Sequence, residues 1–257
     1  MKKTNFCLAE YRHRVHDTGK LEPDLATVSR LMKQQLLHIP FENIDVLNGR
    51  GISLEPDDLV NKLIHQGRGG YCFELNGLFT MVLDELGVPY RMLAARPLVG
   101  DANRPRTHMA LVVELDNKRW LCDLGYGRYG IRQPVDLEQL NVSIQQQDDF
   151  YRLSCNPEGI YLLEAEVDGD WLAQIEFDLI PQHWIDFAPA NHYTSTHPDS
   201  IFTKQVIAIL YTERGRKILS GDSFKIIEDG QAQVSQVGLS EINQILDTHF
   251  RLPGIKI

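Results

Sequence analysis

A cysteine at the start of a predicted helix is the side chain best suited to nucleophilic chemistry in this sequence. Cys72 follows residues 67–70, which hold three glycines and one arginine, and precedes apolar residues at helical spacing that end at Gly87. The first N–H groups of a helix lack intrahelical partners and carry the positive end of the helix dipole, which favours a thiolate. Taken alone, a cysteine outside a disulfide is more often a small buried apolar residue.

A base and an acid lie on two neighbouring strands of a predicted hairpin. His108 opens one strand, Asp123 lies near the end of the next, and Asp116-Asn117 is suited to a tight turn between them. With a two-residue loop, antiparallel partners have numbers that sum to 233, so Ala110 pairs with Asp123. His108 and Asp123 then become diagonal neighbours on one face, with backbones roughly 7 to 8 Å apart. A loop of odd length would put them on opposite faces.

The three residues together are suited to a cysteine nucleophile with a base and an orienting acid. A helix terminus contributes only roughly 0.3 to 1 kcal/mol, which is too little to form a thiolate fully at neutral pH. The larger share must come from proton transfer to His108, with Asp123 stabilising the imidazolium. Separately, a histidine at a strand start is more often structural, and an aspartate before glycine is more often a turn former.

The elements that must position these residues follow from hydrophobic periodicity. Helices are predicted between Pro23 and Pro40, from Pro56 to Gly67 and from Cys72 to Gly87, with a turn at residues 40–45. Strands are predicted at 90–99, 108–115, 119–124, 150–154, 159–166, 171–179, 206–211, 216–219 and 223–228, and a last helix at 240–249.

This order of elements predicts an α+β fold in three parts. Residues 1–88 form a helical bundle that carries the cysteine, because short connections bring successive helices side by side. Residues 89–192 form an antiparallel sheet or small barrel with His108 and Asp123, because several short strands are separated by turn signals. Residues 193–257 form strands followed by one helix.

Composition excludes several classes of function. The 26 Lys and Arg against 35 Asp and Glu give a net charge of -9, which argues against general nucleic-acid binding. No run reaches the length of a membrane span, and residues 1–5 lead into no apolar signal core, so a cytoplasmic location is expected.

Metal sites and disulfides are also disfavoured. The four cysteines have no paired spacing and no CxxC, so neither a disulfide framework nor a zinc ribbon is predicted. A zinc site from Cys72, His108, Asp123 and Cys122 is unfavourable, because Cys122 and Asp123 are adjacent in a strand and point to opposite faces. No metal is therefore expected.

The sequence resembles the arylamine N-acetyltransferase family through five segments in the family's order. They are Pro40-Phe41-Glu42-Asn43, Arg68-Gly69-Gly70-Tyr71-Cys72-Phe73-Glu74-Leu75-Asn76, Thr107-His108-Met109, Asp123-Leu124-Gly125-Tyr126-Gly127 and Thr194-Ser195-Thr196-His197-Pro198-Asp199-Ser200-Ile201-Phe202. By this resemblance Cys72 is the acetylated nucleophile, His108 is its base partner and Asp123 orients His108.

The resemblance also implies a fold and a reaction. The fold is a helical bundle, a β-barrel and an α/β lid with a cysteine-proteinase-like core. The reaction is acetyl-CoA-dependent N-acetylation of arylamines and arylhydrazines by a ping-pong mechanism. Acetyl-CoA is then a cosubstrate, the partners are coenzyme A and a small amine or hydrazine, and neither nucleic acid nor membrane is a partner.

Further residues are expected to contact the substrates. Thr107 and Gly127 are expected near the pantetheine end of coenzyme A, and Gly125 and Gly127 allow close backbone approach to a ligand. Phe41, Tyr126 and Phe202 are candidates for a flat wall against an aryl group, although buried aromatic residues usually belong to the core. Arginines that could meet phosphates are Arg96, Arg104, Arg106, Arg128 and Arg132.

Two positions depart from the family pattern. Leu124 stands where the family usually has Val or Ala, and Tyr126 stands where the family usually has Phe. The Tyr126 hydroxyl requires a partner or water beside the reacting group, which bears on substrate preference.

Two other interpretations remain open at the level of sequence. A transglutaminase-like cysteine protease would use the same order of Cys, His and Asp. A catalytically silent binding module would keep the fold for contacts with other proteins.

Overall fold

A computed structural model describes residues 5–98 and 104–257 and has an α+β architecture. Its α-helices are α1 (Leu8–Arg14), α2 (Leu25–His38), α3 (Ile44–Leu47), α4 (Pro56–Val60), α5 (Cys72–Leu86), α6 (Phe187–Thr196) and α7 (Leu239–Phe250). Its strands are β1 (Phe41–Glu42), β2 (Tyr90–Pro97), β3 (His108–Leu115), β4 (Lys118–Cys122), β5 (Val135–Asp136), β6 (Ser143–Gln146), β7 (Asp149–Cys155), β8 (Tyr161–Val167), β9 (Asp170–Phe177), β10 (Ile207–Thr212), β11 (Gly215–Ser220), β12 (Ser223–Glu228) and β13 (Gln231–Gln236).

The three helices predicted in the N-terminal part are confirmed. The Asp24 side chain caps α2 by accepting a hydrogen bond from the N–H of Thr27 at 2.8 Å. Helix α4 continues as a π-helical turn at Asn61–His65. Helix α5 begins at Cys72 and ends at Gly87, whose φ of +68° favours glycine.

The segment predicted as a turn at residues 40–45 is instead partly a strand, so that prediction is wrong. Phe41 pairs with Ile209 and Glu42 pairs with Ala208 of β10, more than 160 residues later in the chain. Two residues are too few to show strand periodicity, and only a distant partner defines them as a strand. Six further elements were not predicted from the sequence, namely α1, α3, α6, β5, β6 and β13.

The eight-stranded sheet carries the predicted hairpin. Its order is β5-β4-β3-β2-β9-β8-β7-β6, with every pairing antiparallel. Leu115 pairs with Lys118 and Leu111 pairs with Cys122, which confirms the two-residue loop. Asp116 and Asn117 have φ of +54° and +59°, which suits the tight turn that the dipeptide predicted. The strand predicted at 90–99 runs from Tyr90 to Pro97, and Val99 lies outside the described residues.

The predicted barrel is an open sheet whose edge strands are β5 and β6. A side chain joins these two edges, because Gln146 in β6 contacts the segment just before β5. Its Oε1 accepts a hydrogen bond from the N–H of Arg132 at 2.7 Å, and its Nε2 donates to the carbonyl of Gln133 at 3.0 Å. The sheet therefore curls far enough for its edges to approach each other.

A second, five-stranded sheet has the order β1-β10-β11-β12-β13. Helix α7 packs on it through Ile242, Leu246 and Phe250, which share a core with Leu210 and Leu219. Because β1 belongs to this sheet and Phe41 also forms an isolated bridge with Gly70, the turn before the cysteine helix is tied to the C-terminal part of the chain.

Among the helices within residues 5–98 and 104–257, none has the length and apolar character needed to cross a membrane.

The stability of the hairpin that carries His108 depends on its buried central residues. Leu111 in β3 is fully buried, so we expect Leu111→Ala to lower the free energy of unfolding by about 2 to 5 kcal/mol. The control is Leu172→Ala in β9, where the side chain is 45% exposed and the expected loss is below about 1 kcal/mol. Urea unfolding followed by fluorescence measures both, and equal losses would contradict this assignment of the core.

Candidate active site

The turn before Cys72 is held by close backbone packing on both sides. A Cβ added to Gly69 would lie 2.1 Å from the carbonyl oxygen of Pro40, and one added to Gly70 would lie 2.5 Å from Oε2 of Glu74. That carboxylate oxygen accepts a hydrogen bond from the N–H of Tyr71 at 2.9 Å. The glycines therefore leave room for the carboxylate that caps the first turn of α5.

A buried ion network surrounds this turn, with three carboxylates and two cations. Arg68 contacts Glu42 at 2.7 Å and Asp45 at 3.2 Å. Lys62 contacts Asp45 at 2.8 Å and Glu74 at 2.7 Å. The network connects residues 42–45, the π-helical turn and α5, so it fixes the direction in which the cysteine helix begins.

His108 and Asp123 form the contact that the hairpin geometry predicted. Nε2 of His108 lies 2.6 Å from Oδ2 of Asp123, and both residues are buried. The Cys72 side chain also interacts with this imidazole and helps to raise its pKa, and Nδ1 is the ring nitrogen that Asp123 does not engage. The thiol, the imidazole and the carboxylate are therefore neighbours in one site.

Asp123 is held by two more donors besides His108. Its Oδ1 accepts hydrogen bonds from the N–H of Gly125 at 2.9 Å and from Nδ2 of Asn76 at 3.1 Å. Asn76 is fully buried, donates to the carbonyl of Met109 at 2.7 Å and accepts from the N–H of Leu124 at 2.9 Å. This side chain therefore connects the cysteine helix to both strands of the hairpin.

The sequence analysis did not assign a role to Asn76. It lies four residues after Cys72 in α5, so both residues share one face of the helix. That spacing was the available signal, because a polar side chain on the face of a predicted nucleophile must have a polar partner.

The absence of a side chain at Gly125 allows the start of α5 to pack directly against the end of the hairpin. A Cβ at this position would lie 2.4 Å from Cα of Cys72 and 3.0 Å from Cβ of Cys72. Any other residue would push the start of α5 away from the hairpin, so Gly125 has a packing role at this site.

The protonation of His108 follows from its surroundings. Burial opposes a charged imidazole, but the Asp123 carboxylate and then the Cys72 side chain outweigh it and raise the pKa of His108 to about 10. The imidazole is therefore protonated at neutral pH, which suits an ion pair with a thiolate.

Tyr126 lies against the imidazole of His108. Its ring makes an edge contact with His108, with ring centroids 5.3 Å apart, and its hydroxyl donates to the carbonyl of Gln174 at 2.8 Å. The hydroxyl that departs from the family pattern therefore has a partner within the protein.

The other two predicted aromatic residues form a separate pair. The rings of Phe41 and Phe202 are 5.8 Å apart, and Tyr71 makes an edge contact with Phe202 at 5.9 Å. Tyr71 also donates a hydrogen bond from its hydroxyl to Oδ1 of Asn191 in α6. The sequence analysis assigned no role to Tyr71 or Asn191.

Thr107 lies beside the candidate nucleophile, whereas Gly127 packs against the five-stranded sheet. Sγ of Cys72 lies 3.8 Å from the carbonyl oxygen of Thr107. Gly127 has φ of +89°, and a Cβ there would lie 2.9 Å from Cδ1 of Ile209.

Three of the five candidate arginines are engaged in ion pairs. Arg96 contacts Glu176 at 2.6 Å, Arg106 contacts Asp178 at 2.7 Å and Arg132 contacts Asp149 at 2.8 Å. Arg104 and Arg128 form no ion pair with any residue in 5–98 or 104–257, so they are the two best able to meet a phosphate.

No group of three or more metal-ligating side chains occurs in the described part of the chain. Cys122 is fully buried, and burial followed by the charge of Asp123 raises the pKa of its thiol. It therefore stays a neutral thiol in the core.

Comparisons with known proteins identify the family. A family model described as N-acetyltransferase matches residues 24–254. An arylamine N-acetyltransferase of Escherichia coli (strain K12) is 32% identical over 238 residues, which is 91% of this chain and 84% of the relative.

Solved structures give the same result. An arylamine N-acetyltransferase from Salmonella typhimurium superposes with a TM-score of 0.91 at 30% identity, covering 97% of this chain and 92% of that chain. One from Mycobacterium marinum in complex with CoA has a TM-score of 0.90 at 29% identity, covering 96% of this chain and 93% of that chain. The chain belongs to the arylamine N-acetyltransferase family.

The ion pair predicts a specific pattern of thiol reactivity. We expect His108→Gln to reduce alkylation of Cys72 by iodoacetamide near neutral pH to a few per cent of the wild-type rate, because an ordinary cysteine is only a few per cent thiolate there. Asp123→Asn should lower the Cys72 alkylation rate by nearly as much, because the carboxylate that orients His108 is lost. Peptide-resolved mass spectrometry measures the rate, with exposed Cys7 in the same molecule as the internal control. Equal Cys72 rates in wild type and His108→Gln would contradict the ion pair.

The raised pKa of His108 also predicts how stability depends on pH. A group whose pKa is higher in the folded state stabilises the fold below its ordinary pKa and loses that contribution as pH rises through the folded value. The stability advantage of wild type over His108→Gln should therefore be full below pH 6.5 and decline as pH rises toward about 10. Urea midpoints of both proteins across this range measure the difference, and a constant difference would contradict the prediction.

Proposed function

We propose that this protein transfers an acetyl group from acetyl-CoA to arylamines and arylhydrazines by a ping-pong mechanism through acetylated Cys72. The observation that carries the proposal is the buried His108–Asp123 contact, with Cys72 acting on the same imidazole, in a member of this family. Cys72, His108 and Asp123 are the proposed nucleophile, base and orienting acid.

In the first half-reaction the Cys72 thiolate attacks the carbonyl carbon of the thioester. A bond forms between Sγ and that carbon, and the bond from the carbon to the coenzyme A sulfur breaks. The departing sulfur takes the proton from the His108 imidazolium. A thiolate suits this step because the new thioester is similar in energy to the old one.

In the second half-reaction the amine nitrogen attacks the acetyl carbon on Cys72. His108, now neutral, accepts a proton from the nitrogen, and the bond between Sγ and carbon breaks to restore the thiolate and the imidazolium. Asp123 holds the ring in one orientation through both steps, because its Oδ2 bonds Nε2.

The oxyanion of each tetrahedral intermediate requires an N–H donor, for which Cys72 is the candidate. Its N–H is at the first position of α5, where no intrahelical acceptor exists. The N–H groups of Leu124 and Gly125 are already bonded to Asn76 and Asp123, so they are not available to an oxyanion.

Coenzyme A is the proposed leaving group, supported by the Mycobacterium marinum relative solved in complex with CoA. Thr107, Gly125 and Gly127 remain the proposed contacts to its pantetheine end, and Arg104 and Arg128 are the proposed partners of its phosphates.

The aryl group of the acceptor is proposed to contact two aromatic surfaces. Phe41 and Phe202 supply one, and Tyr126 against His108 supplies the other. An acceptor between them would have its amine near the base and its ring on apolar surface.

The finer division of the fold is also a proposal. We infer a cysteine-proteinase-like core, in which a helix start carries Cys72 and adjacent strands carry His108 and Asp123. The helical bundle at 1–88, the β region at 89–192 and the α/β lid at 193–257 are the corresponding parts. A cysteine protease could use the same core, but the named relatives are acetyltransferases.

The direct test is the mass of the intact protein after incubation with acetyl-CoA. We expect one acetyl group on wild type and its loss when an arylamine or a hydrazide is added. Cys72→Ser should remain unmodified because a hydroxyl lacks the thiolate character that the step requires.

The matched control is Cys122→Ser, which alters a buried cysteine adjacent to Asp123 in sequence but outside the thiol–imidazole chain. It should still acquire the acetyl group. An unmodified wild type that cleaves peptides would instead support a protease, and a wild type that does neither would support a binding module.

A further inference from the structure

The loop that follows Asp123 forms one wall of the candidate site. Gly125 packs against the backbone of Cys72 and donates its N–H to Asp123, while the Tyr126 ring lies on His108. Movement of this loop would therefore disturb both the nucleophile and its base.

The loop has one internal backbone hydrogen bond, from the N–H of Gly130 to the carbonyl of Gly127 at 3.1 Å. Residues 125–130 include three glycines, and Gly127 adopts a φ of +89° that few other residues tolerate. Glycines add backbone freedom and no side-chain contacts, so the loop requires bonds from its surroundings.

Two tyrosine hydroxyls supply such bonds. Tyr151 in β7 donates to the carbonyl of Gly130 at 2.7 Å, and only Tyr211, from the other sheet, also reaches Gly127. The Tyr211 hydroxyl lies 2.6 Å from the carbonyl oxygen of Gly127 and 3.0 Å from that of Gly130, so one donor is shared between two acceptors. Tyr211 lies in β10, is buried, and has a pKa that burial raises to about 12 despite nearby arginines. Its hydroxyl therefore remains a donor across the neutral range.

A buried charge network fixes the Tyr211 ring. The Arg132 guanidinium lies over it, 4.8 Å from the ring centroid, and contacts Asp149 at 2.8 Å. Arg216 contacts the same carboxylate at 2.6 Å. Burial opposes the charge on Asp149, but Arg216 and then Arg132 lower its pKa, so the carboxylate stays ionised between the two arginines.

We propose that Tyr211 is a positioning residue, whose hydroxyl fixes the Gly127–Gly130 segment and thereby holds Gly125 and Tyr126 against Cys72, Asp123 and His108. It acts through the loop, since none of its hydrogen bonds reaches Cys72, His108 or Asp123. The proposal relies on the proposed function for the identity of the site, but its test does not require acetyl transfer.

The test is the pH profile of Cys72 alkylation in Tyr211→Phe, which keeps the ring and removes only the hydroxyl. We expect the rate of Cys72 alkylation by iodoacetamide to fall about tenfold near neutral pH. At that pH the reactivity of Cys72 requires His108 to be held beside it in a fixed orientation. Near pH 9.5 the rate should remain within about twofold of wild type, because an ordinary thiol ionises there without help.

The control is Tyr11→Phe, which removes another buried hydroxyl, one that bonds Gln35 at 3.1 Å away from this loop. Both variants should lower the melting temperature by about 2 to 4 °C, as expected for the loss of one buried hydrogen bond. Only Tyr211→Phe should change the ratio of the alkylation rates at the two pH values. An unchanged ratio in Tyr211→Phe would overturn the proposal and leave Tyr211 with a role in stability alone.

The result of the Tyr211→Phe alkylation test can be distinguished from the result of the acetylation test of the proposed function. A changed ratio in a protein that acquires no acetyl group would support the role of Tyr211 and contradict the acetyl transfer. An unchanged ratio in a protein that does acquire it would contradict the role of Tyr211 alone.

Discussion

The close contact between the start of α5 and the end of the His108 hairpin is the constraint on which the rest of the site depends. Gly125 lies so near Cys72 that even one added carbon would meet its Cα at 2.4 Å. At this separation a thiol on a helix and an imidazole on a strand are close enough to interact. Asn76 strengthens the same contact, because it bonds Met109, Asp123 and Leu124 from the cysteine helix.

Burial determines the electrostatics of this contact. His108 and Asp123 are 4% and 2% exposed, so the ion pair is screened little by water and the imidazole stays charged. The cost of burying these charges is offset by the three donors on Asp123.

Both sheets contribute residues to the site, although only one of them carries His108 and Asp123. The five-stranded sheet contributes Tyr211 to the loop after Asp123, and its strand β1 holds Phe41 beside Phe202. The N-terminal and C-terminal parts of the chain are therefore joined around Cys72. The ion network of Arg68, Lys62 and their carboxylates holds the same region from the other side.

The sequence by itself determined the three main N-terminal helices, the hairpin of β3 and β4, and the local geometry of their ends. The two-residue loop at Asp116-Asn117 fixed which face His108 and Asp123 share, because strand periodicity is strict, and Gly87 and Asp24 marked helix ends through local hydrogen bonding and backbone freedom. Tertiary structure decided the rest: the strand at Phe41–Glu42, the bonds of Asn76 and Tyr211, and the packing role of Gly125. Each depends on a partner at least 33 residues away in the chain or on how closely two backbones approach, and neither is encoded in local spacing.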